Sequence, residues 1–304
     1  MRQERGDDGF YRAVVRGFTI LFRLLGLRLD VRGVEHVPRT GPAVLVCNHT
    51  SYLDFAVVGY AASRRRRLVR FLAKAATFDS LVTGWPMRAM GHIPVNRARG
   101  ASAYRRAARE LDRGELVGIF PEATISRSWT LKPFKLGAAT LTLDREVPLL
   151  PVVVWGAHRV FTVDGRGSLR RGRPVLVQVG APVQVRPGAG AVEVDAELRR
   201  RLADLLDQVQ HAYPDAPRDD ADRWWLPAHL GGTAPLPEVA AVLDREGVAQ
   251  ADAASAARVA RAQVRARRRT ERGHRLLAVS RRYRWSTQSS LPSGSASPTP
   301  RASP

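Results

Sequence analysis

The sequence predicts an α/β fold in which a mixed β-sheet is flanked by helices. Short, solidly apolar runs, typical of buried strands, alternate along the chain with segments of helical periodicity. Turn-forming and capping residues separate the two kinds of segment. A chain of 304 residues is long enough for one such domain with appendages at both ends.

The first strand and helix surround the most polar turn of this region. Residues 43–47 are all apolar and predict a buried strand, and residues 55–62 predict a helix. Thr50, Ser51 and Asp54 lie between them and supply candidate oxygens for capping the helix N-terminus. The sequence therefore predicts a strand-to-helix turn.

His49 is the main catalytic candidate, because it lies in this turn about one helical turn before Asp54. A carboxylate at that spacing can fix the tautomer of an imidazole, which gives two members of a nucleophile-activating triad. No G-x-S-x-G motif supplies a serine nucleophile. Cys47 is predicted to be a buried core residue, with a thiol hydrolase as the minority alternative. The simplest hypothesis is that His49 deprotonates a hydroxyl of the substrate.

The remaining elements follow in order along the chain. Residue 151 is a proline within an apolar run, which favours an edge strand or a bulge there. The predicted strands are 69–74, 116–119, 147–154 and 175–179, and the predicted helices are 101–111 and 195–211.

Residues 10–29 predict an N-terminal amphipathic helix. Arg12, Arg16 and Arg23 fall within a sector of about 40° on an otherwise apolar surface. We favour binding at a membrane interface, with packing on the domain core as the alternative. No apolar run reaches the length of a membrane span, and no signal peptide is recognisable, so a cytoplasmic location is expected.

The charge of the chain points to anionic partners. The formal net charge is +21, and 11 arginines lie between residues 258 and 284. Such a surplus favours anionic lipid surfaces, phosphorylated substrates or nucleic acid. Aromatic residues are not interleaved with the arginines as in nucleic-acid-binding segments, so nucleic-acid binding is the less favoured alternative. Residues 253–304 are predicted to be a basic, largely disordered tail, with a helix on an anionic surface as the alternative for residues 253–284.

Four ordered motifs carry a resemblance to a known family. They are N-H-T-S-Y-L-D at residues 48–54, G-H-I-P-V-N-R at 91–97, F-P-E-A-T-I-S at 120–126, and the apolar strand 147–154. Together they resemble the glycerolipid acyltransferases, closest to the 1-acylglycerol-3-phosphate acyltransferases, over about residues 34–212.

The third motif departs from the family pattern at two positions. Ala123 replaces a glycine, which predicts either a negative φ or a strained backbone. Ile125 replaces an arginine, whose anion contact Arg127 or Lys132 could supply. Asn96 replaces an aspartate in the second motif, which leaves a phosphate site intact.

The resemblance implies a role for each site residue. His49 would be the general base and Asp54 its orienting carboxylate. Lys74 and Arg97 would bind the phosphate of the acceptor, with Glu122 and Arg127 also in the substrate site. No metal or prosthetic group is implied, since acyl-CoA or acyl-carrier protein enters as a co-substrate.

The implied function is O-acyl transfer from an acyl thioester to the hydroxyl of a lysophospholipid. The expected acceptor is 1-acylglycerol-3-phosphate, giving phosphatidic acid, with another lysolipid or a glycolipid as the alternative. The expected location is peripheral, on the cytoplasmic face of an anionic membrane. Predicted regions are the N-terminal helix (1–33), the catalytic domain (34–214), an extension (215–252) and the tail (253–304).

Overall fold

The computed structural model describes residues 7–80, 82–96, 100–250, 253, 254 and 257. The chain divides into two compact units, Met1–Glu246 and Gly247–Pro304. Every strand described lies in the first unit, and the described part of the second is helical. The predicted disordered tail, apart from three helical positions, lies outside the described residues.

Helices and strands alternate through the first unit as the apolar runs predict. The strands are β1 (Arg28–Arg32), β2 (Ala43–Cys47), β3 (Val69–Lys74), β4 (Ile93–Val95), β5 (Leu116–Ile119), β6 (Leu149–Trp155) and β7 (Pro174–Val179). The helices are α1 (Asp8–Leu24), α2 (Asp54–Ser63), α3 (Ala75–Phe78), α4 (Gly84–Ala89), α5 (Gly100–Asp112), α6 (Gly137–Arg145) and α7 (Ala191–His211), and residues 237–246 are also helical.

Within the described residues, seven strands form one sheet in the order β1-β7-β6-β2-β5-β3-β4. Strands β2 to β6 run parallel to one another, whereas β7 pairs antiparallel with β6 and parallel with β1. The sheet is therefore mixed and is flanked by helices, which confirms the predicted fold class.

Two layers of helices cover the sheet because the side chains of its strands alternate between faces. On β2, Val44 and Val46 join the core beneath α5, α6 and α7. Leu45 and Cys47 join the opposite core, beneath α1 and α2. All five residues of β2 are buried, as expected for a central strand covered on both faces.

The N-terminal helix is shorter than predicted. α1 ends at Leu24, where Gly26 takes a positive φ of 61° and the N–H of Leu27 bonds back to the carbonyl of Phe22. The prediction of continuous helix over residues 10–29 was therefore wrong. The chain turns and enters β1, an edge strand that pairs in register with β7.

α1 packs on the domain along one side and exposes apolar side chains on another. Tyr11 and Phe22 are buried, with the hydroxyl of Tyr11 donating to the carbonyl of Val69 at 2.7 Å. Ile20 and Leu24 are more than half exposed. The helix thus has both a docked face and an uncovered apolar edge.

None of the helices in the described ranges is both long enough and apolar enough to cross a membrane.

Pro151 lies in an interior strand, so the predicted edge or bulge was wrong. It is opposite Val46 in the β2 register, while the pairing of β6 with β7 begins one residue later, at Val152 and Val179. The Pro151 carbonyl accepts from the N–H of Gly180, just past the end of β7. The N–H and C=O of a strand residue point to the same neighbouring strand. The missing N–H of Pro151 would therefore point towards the end of β7, where no hydrogen bond between the two strands is lost.

Candidate active site

The candidate site lies at the carboxyl edge of the parallel strands. His49 follows β2, Phe120 and Glu122 follow β5, and Lys74 is the last residue of β3. Because β2, β5 and β3 are parallel neighbours, the residues after them converge at one edge of the sheet. This edge brings together side chains that are far apart in sequence.

His49 and Asp54 are in direct contact. Nδ1 of His49 lies 3.0 Å from Oδ2 of Asp54, which is fully buried, whereas the His49 side chain is 20% exposed. A carboxylate accepts, so Nδ1 carries the proton and Nε2 presents its lone pair. Within the described residues Nε2 has no hydrogen-bond partner. The predicted pairing of the two side chains is therefore confirmed in its geometry.

Asp54 fixes the turn rather than capping the helix. Its Oδ2 accepts from the backbone N–H groups of Thr50 and Ser51, each at 2.8 Å, in addition to the ring of His49. α2 begins at Asp54 itself, and its N-cap Leu53 makes no side-chain capping bond. The prediction that Thr50, Ser51 and Asp54 cap the helix was therefore wrong: Oδ2 of Asp54 accepts from three donors of the turn, and Oγ of Ser51 accepts from the N–H of Leu53.

Three hydrogen bonds of the Asn48 and Thr162 side chains attach the turn to the neighbouring β6 and the segment after it. The amide of Asn48 donates to the carbonyl of Val154 at 3.0 Å and accepts from its N–H at 2.8 Å. The hydroxyl of Thr162 donates to the carbonyl of Thr50 at 2.7 Å. Asn48 thereby continues the pairing of β2 with β6 by one more residue, using its side chain.

Aromatic rings support the imidazole. The ring of His49 stacks on Phe120 at 4.3 Å between centroids, and Phe120 stacks on Phe71 of β3 at 5.8 Å. These contacts limit the rotation of the histidine ring and shield one of its faces from water. The base is therefore held in one orientation by Asp54 and Phe120 together.

Glu122 links the third motif to the backbone around His49. Its Oε1 accepts from the N–H of His49 at 3.1 Å and its Oε2 from the N–H of Lys132 at 3.2 Å. The side chain is buried, and burial raises the pKa of Glu122 to about 8. Its position beside the base is established, while its predicted contact with the acceptor stays a prediction.

Cys47 and Ser51 both have structural roles. Cys47 is 2% exposed, and burial together with the negative charges of Asp54 and Glu122 raises the pKa of its thiol. The hydroxyl of Ser51 donates to the carbonyl of Phe161 at 2.6 Å and accepts from the N–H of Leu53. Neither side chain is an activated nucleophile in this arrangement.

The third motif adopts the strained form of its two predicted alternatives. Ala123 has a φ of 61°, in the left-handed region that a glycine would occupy without cost. The turn is closed by the N–H of Ala123, which donates to the carbonyl of Phe120 at 3.1 Å. The backbone shape of a glycine turn is thus kept although the residue is alanine.

Arg127 forms ion pairs with two carboxylates from distant parts of the chain. Its Nε and Nη2 each donate to Asp164 at 2.9 Å, and its Nη1 donates to Asp244 at 2.5 Å. Lys132 donates to the other oxygen of Asp244 at 2.8 Å and also contacts Thr124. The structure therefore places Arg127 in a protein-internal network, and its assignment to substrate stays a prediction.

Lys74 ends β3 next to β4, with its Cα in register with Val95. This position is at the same carboxyl edge as His49. Arg97, two residues after β4, lies outside the described residues. The phosphate-binding roles of both residues stay predictions.

No cluster of three or more metal-ligating side chains occurs among residues 7–80, 82–96 and 100–250. The arrangement around His49 is that of a base, an orienting carboxylate and a buried neighbouring carboxyl group. Such a set is suited to removing a proton from a hydroxyl and returning it to a leaving group.

Comparison with known families agrees with this geometry. Residues 28–155 match the family model described as Acyltransferase, a range that runs from β1 to the end of β6. Those residues form an acyltransferase-family domain. The match includes His49, Asp54, Lys74 and Glu122, whereas the segments that supply Asp164 and Asp244 lie beyond it.

Relatives of the acyltransferase-family domain are found in plants and animals. A chloroplastic 1-acyl-sn-glycerol-3-phosphate acyltransferase of Brassica napus is 30% identical over 186 residues, covering 60% of this chain and 52% of the relative. The alpha form of the same enzyme in Mus musculus is 32% identical over 173 residues, covering 53% and 60%. The chain thus spans about half the length of the plant relative.

A solved structure shares the fold. The crystal structure of the 1-acyl-sn-glycerophosphate acyltransferase of Thermotoga maritima aligns with a TM-score of 0.58 and 22% identity, covering 67% of this chain and 81% of that one. The two proteins therefore share the arrangement of sheet and helices.

Sequence reasoning missed several residues that build the site. Asp244 and Asp164 have no local motif, and their pairing with Arg127 spans 117 and 37 residues. Phe120 was part of the third motif, and its position after a buried strand beside β2 could have indicated a ring contact with the histidine. Asn48 was noted in the first motif, but the exchange of two bonds with Val154 leaves no signal in the sequence.

Proposed function

We propose that the chain is an O-acyltransferase that moves a fatty acyl group from an acyl thioester to the hydroxyl of 1-acylglycerol-3-phosphate, giving phosphatidic acid. The observation that carries the proposal is the 3.0 Å contact of His49 Nδ1 with Asp54 Oδ2, which leaves Nε2 available as a base. The acyltransferase-family match and the names of the plant and animal relatives support the substrate class.

In this mechanism the acceptor hydroxyl gives its proton to Nε2 of His49. The oxygen attacks the thioester carbonyl, the C–S bond then breaks, and the proton passes from Nε2 to the leaving thiolate. Asp54 keeps Nδ1 protonated and stabilises the imidazolium that exists between these two proton transfers. Asp54 itself remains ionised throughout.

Direct transfer without an acyl-enzyme fits the surroundings of the base. Cys47 is buried with a raised pKa, and Ser51 Oγ is engaged with Phe161 and Leu53. The nucleophile is therefore the acceptor hydroxyl. The donor is acyl-CoA or acyl-carrier protein, and the reaction needs no further cofactor.

The acceptor phosphate is assigned to Lys74 and Arg97. Lys74 ends β3 and Arg97 comes two residues after β4, and the carboxyl ends of these parallel strands lie at the edge that holds His49. A guanidinium offers a planar pair of donors to a phosphate, and a lysine adds a point charge. Glu122 acts as a positioning residue, because its two bonds hold the backbone of His49 and Lys132 in place.

Peripheral binding to an anionic membrane, on its cytoplasmic face, is part of the same proposal. α1 exposes Ile20 and Leu24 beside Arg16 and Arg23, which are also exposed. Apolar side chains can enter the headgroup region while arginines contact lipid phosphates. An enzyme held at the surface would meet its lipid substrates without extracting them through water.

The deciding experiment is an acyl-transfer assay of the full chain with labelled acyl-CoA or acyl-carrier protein. The acceptor panel contains 1-acylglycerol-3-phosphate, neutral and zwitterionic lysolipids, and a glycolipid. Preferential labelling of phosphatidic acid would support the proposal. Preference for another lysolipid would change the acceptor, and absence of transfer to the whole panel, with binding to duplex DNA, would overturn the function.

A further inference from the structure

A cleft rich in arginine lies outside the site described above. It is formed by the loop between β6 and β7 together with residues 218–224, and its volume is about 420 Å³. We call it the arginine cleft. Its charged and aromatic lining consists of Arg166, Arg170, Arg173, Arg218, Asp222 and Trp224.

The lining carries a surplus of positive charge. Four arginines face one aspartate, and that carboxylate is already bound, since Oδ2 of Asp222 accepts from Nε of Arg218 at 3.0 Å and from its backbone N–H at 3.2 Å. The exposed side chains of Arg166 and Arg170 have no hydrogen bond or ion pair to any of the described residues.

Arg173 is the most unusual member of the cleft. The residue is 7% exposed, yet its guanidinium makes no hydrogen bond to any described residue, and its Nε is buried without a partner. Burial, together with the nearby positive charge of Arg159, lowers the pKa of Arg173. Tyr213 and Asp222 act in the opposite direction but form no hydrogen bond with it, and a buried charge without a hydrogen-bonded partner is costly.

Arg159 provides an internal comparison, since it is buried in the same region. Its Nη1 donates to Asp215 at 2.6 Å and to the hydroxyl of Tyr213 at 3.2 Å, and its guanidinium lies 4.0 Å from the ring centroid of Trp225. Arg159 is thus ion-paired within the protein through Nη1, although its Nε, like that of Arg173, is buried without a hydrogen-bond partner. The difference is that Arg159 has an ion-pair partner, whereas none of the described residues supplies one for Arg173.

The loop that carries the arginines is held by specific backbone contacts. Gly167 has a φ of 126°, and a Cβ there would lie 2.4 Å from the carbonyl of Val160. The N–H of Ser168 donates to the carbonyl of Arg159 at 2.9 Å, and its Oγ accepts from the N–H of Arg170 at 3.2 Å. The cleft is therefore built by the fold rather than by loosely placed side chains.

We propose that the arginine cleft binds a phosphate monoester. A dianionic, tetrahedral group can accept from several guanidinium donors at once, and it would pair the buried charge of Arg173. Trp224 offers an apolar wall to whatever the phosphate is attached to. Two sources share this chemistry, a glycerol phosphate headgroup and the phosphorylated nucleotide of a coenzyme A thioester. The binding site itself does not use His49, but the choice of these two sources rests on the proposed function.

Calorimetric titration of the full chain at fixed ionic strength tests the binding. The probes are inorganic phosphate, sn-glycerol 3-phosphate and adenosine 3′,5′-bisphosphate. Because Lys74 and Arg97 are themselves assigned to a phosphate, each titration is repeated in the Arg97→Ala background. Binding that survives in that background and weakens by about 10- to 100-fold on adding Arg173→Met belongs to the cleft.

Three further variants separate a binding role from a structural one. The double variant Arg166→Ala/Arg170→Ala removes two exposed cations and should weaken binding without affecting folding, whereas Arg186→Ala, an exposed arginine after β7, should leave binding unchanged. In thermal unfolding without ligand, Arg173→Met should match or exceed the wild type, whereas Arg159→Met should unfold at a lower temperature.

The outcomes are distinguishable from those of the acyl-transfer assay, since no turnover is measured. Tighter binding of the bisphosphate would identify the nucleotide as the source, and tighter binding of glycerol phosphate would identify the headgroup. Failure of all three probes to bind in the Arg97→Ala background would overturn the proposal. Unchanged binding in the Arg166→Ala/Arg170→Ala variant would do the same, even if Arg173→Met failed to fold.

Discussion

The turn after β2 and the turn after β5 lie side by side but are stabilised in different ways. In the first turn, Asp54 binds the ring of His49 and two backbone N–H groups that lie three to five positions away along the chain, and Phe120 and Glu122 add distant contacts to His49. After β5, the ion pairs of Arg127 and Lys132 are made with Asp164 and Asp244, between 37 and 117 positions away along the chain. The carboxylate that orients His49 is therefore local, although Phe120 and Glu122 also contact it from a distance, whereas the ion pairs of Arg127 and Lys132 are all distant.

This difference separates chemistry from stability. The bonds of Asp54 fix the tautomer and orientation of His49 from within the turn itself, and the distant contacts of the turn add to this. A network that joins the third motif to the helical residues 237–246 responds to any change that loosens those segments. Substitutions in the first turn should therefore affect turnover most, and substitutions in the second should affect unfolding most.

The largest effect is expected at the base. His49→Ala should lower turnover by roughly 10²- to 10⁴-fold, because the acceptor hydroxyl loses its proton acceptor. Circular dichroism and urea unfolding should stay close to the wild type. Cys47→Ser is the matched control and should keep most activity. An inactive Cys47 variant beside an active His49 variant would revive the thiol mechanism.

Asp244→Asn tests the second turn. Removing the charge leaves Arg127 and Lys132 short of a buried partner, so the free energy of unfolding should fall by about 3 kcal/mol in urea titrations. Asp204→Asn removes a carboxylate from an exposed i, i+4 pair with Arg200 and should change little. Equal effects of both variants would show that the network contributes no more than a surface pair.

Glu122→Gln tests the carboxyl group shared by the two turns through pH. Since the pKa of Glu122 is raised to about 8 in the folded protein, the folded state keeps its proton where the unfolded state has lost it. Stability contributed by this group is therefore lost as the pH rises from the ordinary carboxyl pKa towards 8. Between about pH 6 and pH 7.5 the wild type should lose about 2 kcal/mol of unfolding free energy that the Gln variant does not lose. Parallel pH profiles would contradict the raised pKa.

The smallest effect is expected at Ala123. Its φ of 61° is strained for alanine, so Ala123→Gly should stabilise the domain by up to about 1 kcal/mol, part of the gain being offset by the greater freedom of glycine in the unfolded chain. Ala101→Gly, on the exposed surface of α5, should have the opposite sign. Chemical denaturation of each variant measures its change in unfolding free energy.

What could be predicted from the sequence follows the same division between local and distant contacts. The buried strands β2, β3 and β5 can be predicted from their apolar runs, and the His49–Asp54 contact can be predicted from a spacing of five residues. β1 (Arg28–Arg32) was missed because this edge strand alternates charged and apolar residues. In the sequence it therefore resembles a continuation of the amphipathic helix α1. The position of Pro151 depends on where β7 ends, and the partners of Arg127 depend on tertiary folding, so neither is written in a local pattern.

The amide group of Asn48 makes the integrity of the first turn measurable without any substrate. The N–H of Val154 is bonded to the side chain of Asn48 at 2.8 Å and not to a backbone carbonyl of β2. Exchange of that proton for deuterium therefore requires the turn to open, whereas its neighbours in β6 exchange when strands separate. The logarithm of the ratio of their protection factors gives the difference between the two opening free energies, and Asn48→Ala should remove the protection of the Val154 N–H alone.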